Sequence, residues 1–128
     1  MGALLFVFSQ QLFCPTKKKG EKMKVEKILE MADEMKSNTL SDSVKIKWIS
    51  DVEGKILTEI YKKSPEEIDL PQRSEDSLIL PEAYSKVYLL YVLAMMAIAE
   101  GDYSAFSKIN TEFESAMTSY AKWFIRNR

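Results

Sequence analysis

Histidine is absent from this 128-residue chain, and cysteine occurs once, as Cys14. Without histidine there is no Ser–His or Cys–His nucleophile pair, no ordinary general base and none of the commonest zinc ligand. A single thiol forms neither an intrachain disulfide nor a thiolate cage. Four glycines and four prolines leave no glycine-rich phosphate loop and no low-complexity array. An excess of one charge is also missing: 18 Lys and Arg stand against 19 Asp and Glu, a net charge of −1. No uniform field therefore draws the chain to DNA or to acidic membranes. These absences exclude most enzyme chemistry, and the chain is read as a non-enzyme with no catalytic residue, no metal and no cofactor.

What is present is the balance of a globular protein: 46% apolar and 29% charged residues, in a chain long enough for one core. Residues 1–22 stand apart. The apolar run Met1-Gly-Ala-Leu-Leu-Phe-Val-Phe8 breaks at Ser9-Gln10-Gln11 and precedes the basic run Lys17-Lys18-Lys19. It is too short for a membrane span, and its charge lies on the wrong side for a secretory signal. An interfacial anchor is one reading. Another follows from back-translation, since Lys19-Gly20-Glu21-Lys22-Met23 can be encoded with GGAG a few bases before ATG, the form of a bacterial ribosome-binding site. On that reading Met23 is the start and residues 1–22 are a disordered leader or non-native extension. Removing four lysines and one glutamate then changes the net charge from −1 to −4, leaving a mildly acidic domain over 23–128.

The rest predicts an all-α fold, a small bundle of about four helices. Val25, Ile28, Leu29, Ala32 and Met35 recur at helical spacing with charges between them, a surface helix ended by Ser37-Asn38-Thr39. Ser41 or Asp42 is the expected N-cap of a second helix with Val44, Trp48, Ile49, Val52, Ile56 and Ile60 on its apolar positions. Gly54 inside it is expected to admit a neighbouring helix at close range. Pro81 suits the first turn of a third helix, whose run from Tyr88 to Ala99 is apolar on most sides. Gly101 is placed at its C-cap, and Phe106, Ile109, Phe113, Met117, Tyr120 and Phe124 form one stripe of a fourth helix. Helices two to four are expected to make the core. Between the second and third lies a long acidic loop, Lys62–Leu80, with Glu66, Glu67, Asp69, Glu75 and Asp76.

No constellation here carries catalysis. Asp51 and Glu53 do not face each other on a helix and are expected on a solvated face. Tyr84, Tyr88 and Tyr91 read as core residues with wet hydroxyls rather than base-stacking groups. The end, Trp123-Phe124-Ile125-Arg126-Asn127-Arg128, places large apolar and cationic groups where chains fray, and reads equally as a partner surface or as end-packing.

Two stretches resemble the small head–tail connector proteins of long-tailed phages and prophages. One is Leu40-Ser-Asp-Ser-Val-Lys-Ile-Lys-Trp-Ile-Ser-Asp-Val-Glu-Gly-Lys-Ile56, and the other is Leu78-Ile-Leu-Pro-Glu-Ala-Tyr-Ser-Lys-Val-Tyr88. The join Ala99-Glu-Gly-Asp102 into the last helix is similar as well. The likeness runs from Val25 to Arg126, with departures at Ala83, Ser107 and Lys108, and has no counterpart to residues 1–22. Its motifs consist of helix-boundary and packing residues.

The resemblance implies an interaction function alone. Such proteins dock on the portal, extend the DNA channel and support tail completion. It implies self-association into a ring, a dodecamer in the virion, through which DNA passes without specific binding, and no membrane. The implied location is the virion, and the bacterial cytoplasm during assembly. The acidic set Glu66, Glu67, Asp69, Glu75 and Asp76 would then be an intersubunit or lumen-facing loop. Trp123, Phe124, Ile125, Arg126 and Arg128 would be a portal-docking tail, ordered on binding. The alternatives are a bacterial helical adaptor or regulatory protein, a DNA-binding helical module, and a protein anchored through Leu4–Phe8 and Lys17–Lys19.

Overall fold

In a computed structural model, which describes residues 23–127, the chain forms four α-helices: α1 (Val25–Met35), α2 (Asp42–Glu59), α3 (Lys86–Ala99) and α4 (Tyr103–Asn127). Among the described residues there is no strand, only an isolated antiparallel bridge between Lys24 and Ser77. The proposed leader and Arg128 lie outside the described residues.

Helix α1 is more than a surface helix. Val25, Ile28 and Ala32 have no exposure at all and join one continuous core with α2, α3 and α4. Burying side chains of this size is worth roughly 1.5–3 kcal/mol each, so α1 is held by packing. Met35, the last member of its stripe, is 65% exposed because the helix stops there. The turn that follows is organised by Asn38, whose amide donates to Asp33 and to the Lys36 carbonyl while its oxygen accepts from the Leu40 N–H. Ser41 is the N-cap of α2 and accepts from the Val44 N–H.

Helix α3 is the hub, packing along α4 over the longest interface and also against α1 and α2. By length and composition alone its stretch Glu82–Ala99 is apolar enough to cross a membrane; here seven of the α3 residues are buried against the rest of the bundle. It starts later than Pro81 suggested. Pro81 caps a one-turn 3-10 helix, Glu82–Tyr84, and α3 follows from Lys86. The end of α3 is a Schellman motif. Gly101 takes φ +77°, its N–H donates to the Ile98 carbonyl, and the Asp102 N–H donates to Ala97. The Asp102 carboxylate then accepts from the Ala105 N–H and starts α4.

Gly54 admits no helix. A Cβ there would meet Leu70 Cδ2 at 3.6 Å, so the neighbour is the chain between α2 and α3, at ordinary contact distance.

Candidate interaction site

The stretch between α2 and α3 includes a second one-turn 3-10 helix, Pro65–Glu67, and is strapped to the bundle at several points. The first N–H groups of α1 have no partner within their own helix. They donate instead to this stretch, Val25 to the Asp76 carbonyl at 3.0 Å and Glu26 to Ser74 at 2.9 Å. The Leu78 N–H returns to the Met23 carbonyl at 2.8 Å. Leu78 and Leu80 are buried.

At the centre of the strap is Glu53. It does not lie on a solvated face: the side chain is 4% exposed and points inward from α2. The Tyr88 hydroxyl donates to its Oε1 at 2.6 Å, and the Ile79 N–H donates to its Oε2 at 2.9 Å. The Leu80 N–H donates in turn to the Tyr88 oxygen at 3.2 Å. Burial, with the Glu53 charge beside it, pushes the Tyr88 phenol well above its ordinary range. Tyr88 is thus a core residue with a buried, committed hydroxyl. Lys45 is the second inward charge on α2, 2% exposed, with its Nζ 2.7 Å from Asp33 and 3.2 Å from Asn38. It ties α2 to the end of α1, and its hydrogen bond holds the Asp33 carboxyl below the usual range.

Sequence reasoning missed both residues as buried groups, yet the signal was there. Lys45, Ile49, Val52, Glu53 and Ile56 share one helical face, so each charge interrupts an otherwise apolar stripe.

The acidic residues of the connection divide by environment. The Asp76 carboxylate accepts from the Gln72 and Arg73 N–H groups, which lower its pKa, and it shapes a turn. Glu75 lies 3.6 Å from Arg73, and Glu66 accepts from the Ser64 hydroxyl, which lowers its pKa. Glu67 and Asp69 face solvent, and neither has an ion-pair partner among the described residues.

The C-terminal segment is also different from expectation. Residues 123–127 are the last turns of α4 rather than a separate tail. Trp123 and Phe124 are half-buried and pack against the core. The Phe124 ring lies 4.4 Å from that of Tyr61, and Trp123 lies 5.7 Å from Tyr120 and 6.0 Å from Tyr84. The Tyr61 and Tyr120 hydroxyls are 2.7 Å apart. Burial, then the bond to Tyr61, raises the Tyr120 phenol above its ordinary range. What the end of α4 still presents to solvent is Ile125, 64% exposed, and Arg126.

Among the described residues no group of three or more Cys, Asp or Glu side chains is placed to hold a metal ion. Compared with known proteins, the chain matches no family model, no curated protein and no solved structure.

Proposed function

We propose that the chain is a structural head–tail connector of a long-tailed phage or prophage, which docks on the portal, extends the DNA channel and supports tail attachment. The observation that carries this reading is the meeting at Glu53. The two stretches that resemble connector proteins, Leu40–Ile56 and Leu78–Tyr88, are 21 residues apart in sequence. They are joined in space by the carboxylate of one, the hydroxyl of the other, and the Ile79 N–H. The residues that carry the resemblance are engaged in capping, packing and buried hydrogen bonds: Ser41, Lys45, Val52, Glu53, Ile56, Leu78, Leu80 and Tyr88. Groups committed in this way hold a shape, as an assembly role requires.

In this reading the partners are the portal, the tail-completion proteins and further copies of the chain in a ring, with a dodecamer as the virion form. DNA passes through unbound, and the protein is found in the virion and, before assembly, in the host cytoplasm. The long acidic connection supplies an intersubunit or channel-facing surface. With Trp123 and Phe124 half-buried against the core, Ile125 and its flanking cations are what the end of α4 offers to a partner.

Sequencing the DNA that flanks the reading frame tests this. Portal-like or capsid-like frames on one side and tail frames on the other are expected. Flanks of metabolic or regulatory genes overturn it in favour of a host adaptor protein.

A further inference from the structure

Two outward surfaces have complementary chemistry and do not meet within one chain. The first is the end of α4. Lys122, Ile125 and Arg126 stand at i, i+3 and i+4, so they share one face of the helix. That face points away from Phe113, Met117 and Tyr120, the buried side. Ile125 is exposed, and neither cation has an ion-pair partner among the described residues. The second surface is Glu67-Ile68-Asp69-Leu70, where acidic and apolar residues alternate. Leu70 is exposed, and Ile68 is half-buried on the wall of a shallow groove of about 240 Å³ shared with Leu57 and Ile79. Glu67 and Asp69 line the same groove, and Lys63 opposes them with one positive charge, which leaves it net acidic.

A cation–apolar–cation knob thus faces outward on α4, while an acid-flanked apolar groove lies on α2 and the connection. We propose that these surfaces dock between copies of this chain, the α4 end of one copy seating in the groove lined by Glu67, Ile68 and Asp69 of the next. Ile125 enters against Ile68, and Lys122 and Arg126 meet Glu67 and Asp69. Knob and groove at different places on the chain fit either a reciprocal two-fold pair or a heterologous contact that closes into a ring or runs on as a filament. The contact proposed is the heterologous one, which the ring of the connector reading requires. Exposed ion pairs are individually weak, so association of the free chain is weak and salt-sensitive, and closure of a ring supplies the cooperation. The inference deepens the connector reading by naming its subunit contact, and rests on that reading for its setting in a virion.

The test uses the full chain with Cys14→Ser, Ile68→Cys and Ile125→Cys, oxidised at high protein concentration and low salt. A ladder of trimers and larger species is expected, where either single-cysteine chain stops at a dimer. Lys122→Glu with Arg126→Glu should abolish the ladder, and adding Glu67→Lys with Asp69→Lys should restore it. Circular dichroism checks that each variant keeps its helices. No ladder, an intrachain crosslink, or a ladder indifferent to charge reversal overturns the contact. If deletion of Ile125–Arg128 abolishes capture by a portal protein while no ladder forms, the α4 end belongs to the portal and the contact fails. The two proposals fail separately. A ladder from a chain that never enters particles keeps the contact and removes the connector reading, and a chain found in particles without a ladder does the reverse.

Discussion

Glu53 concentrates the energetics of this fold in one carboxylate, because two donors from the connection and α3 have it as their acceptor where it is only 4% exposed. Glu53→Ala leaves the Ile79 N–H and the Tyr88 hydroxyl without it, and a buried orphan costs about 1–3 kcal/mol. A loss of about 2–4 kcal/mol is expected in urea unfolding, with a smaller loss for Glu53→Gln, which keeps an accepting oxygen. A change for Glu53→Ala within about 0.5 kcal/mol, the range of ordinary surface substitutions, would contradict the network. The tyrosines set the alkaline limit. The Tyr88 and Tyr120 phenols titrate higher in the folded chain than their ordinary value of 10.0. Their neutral forms therefore add stability that is complete below pH about 10 and is lost as pH rises beyond it, when the unfolded chain ionises first. Absorbance titration near 295 nm should show these two phenols silent until the chain unfolds, and early ionisation of all six tyrosines would contradict it. Both inward charges on α2 were legible only as interruptions of a stripe. The reading of Glu53 as solvated came from judging it against Asp51, its i−2 neighbour, rather than against Ile49 and Ile56 on its own face. Its partners, 26 and 35 residues away, leave no mark in local periodicity.

At the level of elements, helical spacing and capping chemistry located all four helices. Ser41 and Gly101 act where short polar and achiral residues are needed, at an N-cap and just past a C-cap. The start of α3 was misjudged because Pro81 suits a 3-10 turn as readily as an α-helical one, and only the packing of Tyr84 on Tyr120 and Trp123 decides. Gly54 was misread for a related reason, since sequence shows that a side chain is missing but not what lies opposite. As the space beside it accepts a methyl group at ordinary contact with Leu70, Gly54→Ala should stabilise the chain by about 0.5–1 kcal/mol. Thermal unfolding checks this, and a lowered midpoint would mean that Leu70 cannot give way. Lys62 holds the opposite opportunity. It takes φ +62° so that the Lys63 N–H can reach the Leu57 carbonyl at the end of α2. Lys62→Gly removes the cost of a left-handed side-chain residue, and a gain of up to about 1 kcal/mol is expected in the same measurement.

Across the whole molecule, one end of the bundle gathers the connection, the Glu53 network, the aromatic cluster and the outward face of Ile125. The all-α class was legible from composition and period alone, whereas the fate of the last residues was not. The stripe Phe113, Met117, Tyr120 and Phe124 carries α4 through to Asn127, and tyrosines from three parts of the chain close over Trp123 and Phe124. Trp123→Ala with Phe124→Ala should therefore loosen the fold itself, by several kcal/mol in urea unfolding. Deleting Ile125–Arg128 should leave helicity and stability nearly unchanged, because those side chains of the segment that the structure describes stand in solvent. If instead the deletion unfolds the chain, the end of α4 is a structural brace and not an interface. The measurement that bears most directly on the proposed function is electron microscopy of particles from a lysogen in which this reading frame alone is deleted. Filled heads lying beside unattached tails, with joining restored when the purified chain is added, is the predicted result. Complete, infectious particles without the chain would contradict it.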